Sequence, residues 1–379
     1  MSAAASRGAI LVAGGYGVVG SRICRLLRER HPDAALLIGG RSPDKGAELV
    51  RQLGAKPVRI DTSEADPLAL LDERPSLVIS AVNDPHDALL LAAVTRGIAL
   101  VDIARWTARL HAALLRLSTE SLSAPVVLAS GWMGGVAPLL AMAAARQVWP
   151  PTSIEIDILY GAADLAGPDS VDYVDRLDVP FEVIDAGRER LVKPFTDGRV
   201  VTFPEAGRRR TYRLDTPEQA TLPIVTGAST VATRIVFDSR AATATLVAFK
   251  RLGVIRLLSA ERFTRLRRKL LFPQNTSTQG TPTIVLATVR GEGAVVRASI
   301  VDREGQSHLT ALGAVIAAER ALGLDGLAAA PEGVTFPEQH PRPQTALTTL
   351  RQHGGEVVIE AVERRDAEST CGSAVRCAR

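Results

Sequence analysis

The sequence ILVAGGYGVVG at residues 10–20 decides the fold of the N-terminal part of this 379-residue chain. Its first four residues form a short apolar run, and apolar side chains then recur at helical spacing from Val18 to Arg28. The pattern G-x-G-x-x-G at residues 15–20 therefore lies where a strand turns into a helix, which is the context of a dinucleotide-binding loop. The glycines allow a tight turn, close approach of the backbone to a pyrophosphate, and close packing of the helix on the strand.

The beginning of this helix is the predicted pyrophosphate site, because N–H groups at a helix N-terminus are unpaired and attract phosphate. The pattern thus predicts a dinucleotide as cofactor. The residues of the loop predicted to bind it are Gly15, Tyr16, Gly17, Val18, Val19 and Gly20.

A second apolar run, residues 34–38, ends at Gly39-Gly40-Arg41-Ser42. A unit that binds NAD carries a carboxylate near this point, where it accepts a hydrogen bond from the ribose 2′-hydroxyl. This chain has Gly40 and Arg41 instead, and a guanidinium suits a 2′-phosphate. We therefore predict NADPH as the cofactor, bound in part by Arg41 and Ser42; the alternative is a solvated arginine in a polar loop.

Strand and helix patterns alternate up to Ser130, which predicts a doubly wound parallel sheet of the Rossmann type. The third to sixth strands are predicted at residues 58–60, 77–82, 98–101 and 126–129. Polar or small residues at the ends of the third and fourth strands are predicted to lie near the cofactor, although Asp61 is equally suited to cap the segment after it and Asn83 to form a turn. These residues are Asp61, Ala81 and Asn83.

The alternation stops near Ala137, and the strands predicted after it lack intervening helices. The clearest signal is a hairpin over residues 283–301, and other strand patterns occur at residues 154–160 and 199–203. An amphipathic helix is predicted over residues 308–322. Long strands paired in this way predict a second α/β domain with a mixed sheet.

Composition limits the classes of function. Hydrophobic residues make up 46% and charged residues 23% of the chain, which is ordinary for a soluble enzyme. The net charge of +4 comes without a basic tail or interleaved aromatic residues, so nucleic acid is not an expected partner. Three cysteines form neither a disulfide framework nor a metal site, so no metal is predicted. No apolar run reaches the roughly 18 residues of a membrane span, and a cytoplasmic location is expected.

The glycine loop at residues 14–20, Gly40-Arg41 and two later segments of this sequence resemble motifs of the saccharopine dehydrogenase-like family. Within that family they are most similar to the saccharopine reductase type. Two features depart from the family pattern. Gly134 stands where the family usually has proline, and Arg105 and Trp106 stand where it often has an acidic or small residue. The family segments that match are Gly-Gly-Tyr-Gly-x-x-Gly at residues 14–20, Gly-Arg at Gly40-Arg41, Val-Asp at Val101-Asp102, and the glycine-rich turn at residues 131–135.

The resemblance implies a domain organisation and a reaction. Residues 1–132 are expected to form the NADP-binding domain, to which residues 338–366 return, and residues 133–337 a substrate-binding and dimerisation domain. Residues 367–379 are expected to form a disordered tail. Proteins of this type reduce imines or related double bonds with NADPH, and many are homodimers.

The substrate is expected in the crevice beyond the carboxyl ends of the parallel strands. Asp102, the acid at the tip of strand five, is a candidate catalytic residue that orients substrate or relays a proton; the alternative is a structural carboxylate bonded to nearby backbone. Arg105 indicates a carboxylate or phosphate on the substrate. Trp132 is predicted to stack on the substrate or to pack between the domains. In the second domain, Tyr173 is a further candidate catalytic residue and Asp172 a candidate substrate-binding residue.

The sequence therefore predicts an NADPH-dependent oxidoreductase that reduces a C=N bond of a small, anionic substrate. Short-chain dehydrogenases are excluded, because no tyrosine is followed four residues later by lysine. Two alternatives stay open. One is an enoyl or carbonyl reductase whose substrate is tethered to an acidic carrier protein, docked on the basic stretch at residues 250–269. The other is a non-catalytic protein that senses NADPH.

Overall fold

The computed structural model describes residues 8–161, 176–258, 263–264 and 282–362. These residues divide into two compact units. The first unit contains the described residues up to 136 together with residues 307–341, and the second contains the other described residues. Each unit is built around its own seven-stranded sheet.

The sheet of the first unit is parallel throughout. With elements numbered along the whole chain, its strands are β1 (Ile10–Ala13), β2 (Leu36–Gly40), β3 (Lys56–Arg59), β4 (Leu77–Ser80), β5 (Ala99–Asp102), β6 (Pro125–Leu128) and β15 (Gly333–Thr335). Their order is β15-β6-β5-β4-β1-β2-β3. The central strands β1, β4 and β5 are buried along their whole length, as continuous apolar runs in a doubly wound sheet should be. The predicted Rossmann-type sheet is confirmed.

The helices of the first unit lie between its strands along the chain, except that the described chain has none between β3 and β4 and that the last one precedes β15. They are α1 (Val18–Arg30), α2 (Ala47–Leu53), α3 (Ala88–Thr95), α4 (Thr107–Leu117) and α9 (Gln306–Leu322). The sequence pattern predicts an amphipathic helix for α9, but α9 is buried on nearly every side. Its acidic residue Glu319 is buried as well, and it accepts hydrogen bonds from Nε of Arg30 (2.6 Å), the last residue of α1, and from Nε2 of His31 (2.9 Å), the residue after α1. Paired in this way, a polar residue can be buried without an unbalanced charge.

The second unit contains a mixed sheet, as predicted. Its elements are α5 (Val136–Ala145), β7 (Pro151–Tyr160), β8 (Phe181–Asp185), β9 (Arg188–Val192), β10 (Arg199–Phe203), β11 (Gly207–Arg213), α6 (Glu218–Thr226), β12 (Thr230–Phe237), α7 (Arg240–Arg251), α8 (Val254–Leu258), β13 (Thr283–Gly291), β14 (Val295–Asp302), α10 (Pro343–Gln352) and β16 (Glu356–Val362). The sheet order is β10-β11-β12-β7-β13-β14-β16, and β8 and β9 form a separate hairpin. Strands β7 and β12 are parallel, and the other neighbouring pairs are antiparallel.

The C-terminal part of the chain differs from the prediction. The expected return of residues 338–366 to the first domain is wrong for α10 and β16, because β16 pairs antiparallel with β14 and so extends the β13–β14 hairpin of the second sheet. The segment that returns is residues 307–341, so these residues do not belong to the second domain. Its short strand β15 pairs with β6, and Val334 in this strand and Phe336 just after it pack against the core of the first unit.

The central strand β7 carries two acids on one face of the second sheet. Ile154, Ile156 and Ile158 alternate with Glu155 and Asp157, yet Asp157 is completely buried. Arg199 on β10 bonds both acids, with 2.6 Å between its Nη2 and Asp157 Oδ2. A third strand contributes Arg290, whose Nη1 lies 2.6 Å from Glu155 Oε2. The pairing compensates charges that burial alone would make unfavourable.

Replacing Glu155 by glutamine is expected to destabilise the protein in a pH-dependent way. Burial raises the pKa of Glu155, but the guanidinium of Arg199, with Arg234 and Arg290, outweighs burial and lowers the pKa from 4.5 to about 2. A lowered carboxyl pKa stabilises the folded state above the unfolded value, and this contribution is lost as the pH falls from 4.5 towards 2. We expect Glu155→Gln to lower the free energy of unfolding by about 3 kcal/mol at neutral pH.

Urea unfolding at a series of pH values measures this difference. The matched control is Glu182→Gln on β8, which removes an exposed carboxylate and should leave stability unchanged at every pH. If the deficit of Glu155→Gln were the same at pH 7 as near pH 2, the ionised carboxylate would not be its source.

Most of the basic residues of this stretch lie outside the described residues, namely Arg262, Arg265, Arg267, Arg268 and Lys269. At its beginning, Lys250 is already engaged: its Nζ lies 2.7 Å from Asp178 Oδ1 and donates to the Leu177 carbonyl oxygen. Docking of a carrier protein on this stretch stays a prediction. No helix in the described part of the chain is long and apolar enough to cross a membrane.

Candidate functional site

Two glycines of the loop between β1 and α1 lie too close to neighbouring atoms to carry a side chain. Gly14 has φ of +81°, and a Cβ atom there would lie 2.5 Å from Val82 Cγ1 and 2.8 Å from the Ala81 carbonyl oxygen. At Gly20 a Cβ atom would lie only 2.1 Å from the Gly14 carbonyl oxygen. All three distances are far shorter than a van der Waals contact. These two glycines are therefore required for the turn itself and for the approach of α1 to β1.

Gly17 lies at the N-cap of α1 and is exposed. No side chain caps the helix, and no acidic residue lies in its first turn. The first N–H groups of an α-helix have no partner within the helix, and they carry partial positive charge. The arrangement suits an anion, with Val18 and Val19 half-buried at the same helix end.

Cys24 lies under this loop, where its thiol donates to the Gly15 carbonyl oxygen at 3.6 Å. Burial raises the pKa of Cys24 to about 12, so the thiol stays protonated at neutral pH. A thiolate is the reactive form of cysteine, so Cys24 is not a nucleophile in the folded protein.

The loop after β2 contains the predicted 2′-phosphate residues. Arg41 and Ser42 are exposed, and the Ser42 N–H donates to Tyr16 Oη at 2.9 Å. Asp61 accepts hydrogen bonds from the Ser63 Oγ (2.7 Å) and N–H (3.1 Å). These bonds lower the pKa of Asp61, and the charges of Arg59 and Arg41 lower it further. The Asp61 carboxylate therefore caps the turn that begins at Asp61, and it lies close enough to Arg41 for the positive charge of Arg41 to lower its pKa.

The loop after β4 is held by an acid that the sequence analysis does not single out. Asp84 is buried, and it accepts hydrogen bonds from the N–H groups of Ala88 (2.9 Å), Leu89 (3.0 Å) and Leu90 (3.1 Å). It thus caps α3. The two predicted cofactor residues here are Ala81, whose N–H donates to the Ala13 carbonyl oxygen, and the half-buried Asn83, whose carbonyl oxygen accepts from Thr62 Oγ1.

Arg105 joins the loops after β4 and β5 through buried ion pairs. Its Nε lies 2.7 Å from Asp102 Oδ2, and its Nη1 lies 2.6 Å from Asp87 Oδ1. The side chains of Arg105 and Asp102 are each 3% exposed. Burial alone would lower the pKa of Arg105, but Asp102 and Asp87 raise it, so the guanidinium is permanently charged. Its Nη2 has no hydrogen-bond partner among the residues that the structure describes.

Arg109 also belongs to this network. Arg109 Nη2 lies 2.9 Å from Asp87 Oδ1, so two guanidinium groups share one carboxylate. Asp87 has φ of +59°, a left-handed conformation that aspartate adopts more readily than most residues. The other oxygen of Asp102 accepts from the Ala104 N–H at 3.0 Å.

The glycine-rich turn after β6 connects to the same network. Ser130 Oγ accepts from the Arg105 N–H (3.2 Å) and donates to the Asp102 carbonyl oxygen (3.1 Å). Trp132 in this turn is half-buried. At Gly134, where φ is +62°, a Cβ atom would lie 2.6 Å from the Thr310 carbonyl oxygen on α9. Glycine at this departure from the family pattern thus lets the turn lie directly against α9.

The structure brings together some of the predicted residues. Asp102 and Arg105 are bonded to each other, and the predicted cofactor residues lie on the loops after β1, β2, β3 and β4 of one parallel sheet. Asp172 and Tyr173 lie outside the described residues. Within the described ranges, no group of three or more His, Cys, Asp or Glu side chains is placed to hold a metal ion.

Sequence reasoning missed three residues that hold these loops: Asp84, which caps α3, and Asp87 and Arg109, which belong to the network. A signal was present for Asp84, since aspartate shortly before an apolar helical run is a typical cap. The sequence carries no comparable signal for Arg109, because its contact with Asp87 depends on neighbouring strands of the sheet.

Comparison with known proteins supports the architecture. No protein-family model and no curated protein matches the sequence. Among solved structures, apo saccharopine dehydrogenase (L-Glu forming) from Saccharomyces cerevisiae matches with a TM-score of 0.67 at 14% identity, covering 94% of this chain and 100% of that one. A Gfo/Idh/MocA family oxidoreductase from Vibrio cholerae matches with a TM-score of 0.42 at 10% identity, covering 91% and 95% of the two chains. The second score is too low to establish a shared fold. The first shows that this chain has a saccharopine dehydrogenase-like fold, as its motifs predicted.

Proposed function

We propose that this chain is an NADPH-dependent oxidoreductase that reduces a C=N bond of a small, anionic substrate. The observation that carries the proposal is the glycine loop, in which α1 begins at Gly17 without a capping side chain or an acidic first turn. Such a helix end binds phosphate oxygens through free N–H groups. The saccharopine dehydrogenase-like fold supports the same class of enzyme by analogy.

The preference for NADPH rests on the loop after β2. Strand β2 ends at Gly40 without a carboxylate, and the next residue, Arg41, presents an exposed guanidinium. We assign the 2′-phosphate to Arg41 and to the Ser42 hydroxyl, because a guanidinium and a phosphate form charge-assisted hydrogen bonds. When bound, NADPH supplies the hydride.

The anionic character of the substrate rests on Arg105. Two of its nitrogens are held by Asp102 and Asp87, and Nη2 is the donor that we assign to a carboxylate or phosphate of the substrate. Because both oxygens of Asp102 already accept hydrogen bonds, we assign Asp102 to positioning Arg105. The roles of Trp132 and Asp172 in substrate binding, of Tyr173 in catalysis, and of a homodimer stay predictions.

Replacing Arg41 by alanine is expected to weaken NADPH binding about tenfold, since a charge-assisted hydrogen bond to the 2′-phosphate is lost. NADH lacks that phosphate, so its affinity should not change. Titration of each protein with both cofactors by fluorescence or calorimetry measures the effect. The matched control is Arg25→Ala, which removes an exposed arginine of α1 that bonds Gln52. Tighter binding of NADH than of NADPH by the natural protein, or equal losses for both cofactors in Arg41→Ala, would contradict the assignment.

The reaction is tested by following NADPH oxidation through the absorbance of the nicotinamide. Candidate acceptors are imines formed from amines and oxo acids, compared with enones and ketones. Turnover of imines supports the proposal. Turnover of enones or ketones alone would support the carrier-tethered reductase instead, and tight NADPH binding without any turnover would support the sensor.

A further inference from the structure

We propose that Tyr16 and Gly40 are a matched pair that excludes a carboxylate from the end of β2 and thereby sets the preference for NADPH. The inference rests on the proposed function, because it concerns how the same loop selects its cofactor. Selection between NADPH and NADH then depends on Tyr16 of the glycine loop as well as on Arg41 after β2.

The ring of Tyr16 occupies the space that a side chain at position 40 needs. A Cβ atom on Gly40 would lie 2.4 Å from both Cζ and Oη of Tyr16, and 2.5 Å from Cε1. Nearer the base of the side chain, the same edge of the ring approaches Gly46, where a Cβ atom would lie 3.0 Å from Tyr16 Cδ1. The ring thus lies against two glycines, Gly40 at the end of β2 and Gly46 in the loop after it.

A hydrogen bond holds the ring in this position. Tyr16 Oη accepts from the Ser42 N–H at 2.9 Å, so a ring that turns away from Gly40 loses this hydrogen bond and leaves the exposed N–H to water. Any residue other than glycine at position 40 must therefore displace the ring and break this hydrogen bond. Through this hydrogen bond Tyr16 also fixes the backbone that carries Arg41.

The excluded residue is the one that selects NADH. An aspartate or glutamate at the end of the second strand accepts a hydrogen bond from the ribose 2′-hydroxyl and repels a 2′-phosphate. With the Tyr16 ring in place, position 40 cannot carry such a carboxylate. The charged side chain that follows β2 is then that of Arg41, which is positive and attracts a 2′-phosphate.

The test is a double-mutant cycle of Gly40→Asp, Tyr16→Ala and the two together. Apo-protein stability is measured by thermal unfolding, and dissociation constants for NADPH and NADH by titration. We expect Gly40→Asp alone to lower the melting temperature and weaken both cofactors. Tyr16→Ala should fold, since the side chain is only half-buried, and should bind NADPH several-fold more weakly. The double variant should be more stable than Gly40→Asp and should favour NADH over NADPH by about tenfold.

Tyr16→Phe is the control for the hydroxyl. It keeps the ring but removes the hydrogen bond from Ser42, so Gly40→Asp should be less unfavourable in that background than in the natural protein and more unfavourable than in Tyr16→Ala. The inference is overturned if Gly40→Asp is as stable as the natural protein, or if the double variant keeps the natural preference for NADPH. Failure of the proposed function is distinguishable, because the natural protein would then bind neither cofactor while the coupling between positions 16 and 40 persisted in the melting temperatures.

Discussion

Replacing Gly20 by alanine is expected to lower the free energy of unfolding by about 3 kcal/mol, the upper range for overpacking a buried site. The added Cβ would lie 2.1 Å from the Gly14 carbonyl oxygen and 2.9 Å from Gly15 Cα, and backbone atoms of a tight turn cannot yield as a side chain would. Alanine is the better helix former by about 1 kcal/mol, so propensity alone predicts the opposite sign. Urea unfolding of the apo protein measures which effect dominates, and we expect the clash to do so.

Gly17→Ala is the matched control within the same motif. Its Cβ would lie 3.2 Å from the nearest heavy atom, the Gly14 carbonyl oxygen, and its φ of −74° suits any residue. Stability should therefore stay within about 0.5 kcal/mol of the natural protein. The methyl group would nevertheless stand at the start of α1, where the pyrophosphate is proposed to bind, and NADPH affinity should fall about tenfold. Unchanged affinity would place the phosphates elsewhere, and an undisturbed Gly20→Ala would contradict the close approach of α1 to β1.

Replacing Arg105 by methionine is expected to cost about 3–5 kcal/mol of stability, as when one partner of a buried ion pair is removed. Asp102 is 2% exposed and would lose its guanidinium partner, while Asp87 would keep its bond to Arg109. The buried charge that loses its partner is therefore mainly that of the Asp102 carboxylate. Because Arg105 also ties the loop after β4 to the loop after β5, any catalytic activity should fall with it. Urea unfolding and turnover of the same preparations measure the two effects.

A second substitution separates the effect of the unpaired Asp102 carboxylate on stability from the effect of lost packing at position 105. Combining Arg105→Met with Asp102→Asn removes the unpaired carboxylate and should restore part of the lost stability, since an asparagine oxygen can still accept from the Ala104 N–H. The control is Arg51→Met, which breaks the exposed pair with Glu48 and should leave stability unchanged. Equal stability of Arg105→Met and the natural protein would show that the buried network contributes nothing to folding.

The sequence predicted the fold best where local patterns are strong. The strand, glycines and helix of residues 10–30 lie where the pattern requires, and the alternation of short apolar runs with helices up to residue 130 corresponds to strands β1 to β6. The hairpin β13–β14 was equally clear, because its two long strands flank a short turn containing glycine. In each case the signal lies in consecutive residues.

The route of the C-terminal part was not readable in this way. Strand β15 has only three residues, all half-buried, and it is defined by its pairing with β6 rather than by any periodicity. Strand β16 alternates as a strand should, but nothing in its own sequence states which sheet it extends. The choice between the two sheets depends on which strand edge is free, and that is a property of the assembled chain.

In the candidate site, too, local patterns were predictable from the sequence and contacts between distant segments were not. The sequence by itself determined the glycine loop, the absence of a carboxylate at Gly40, and the presence of Arg41, because each follows from residue types at fixed spacing. Only the tertiary structure decided that Arg105 is enclosed by Asp87 and Asp102, and that the Tyr16 ring fills the space above Gly40. The contacts of Arg105 with Asp87 and of Tyr16 with Gly40 join residues on different loops, and parallel strands bring such residues together at one edge of the sheet.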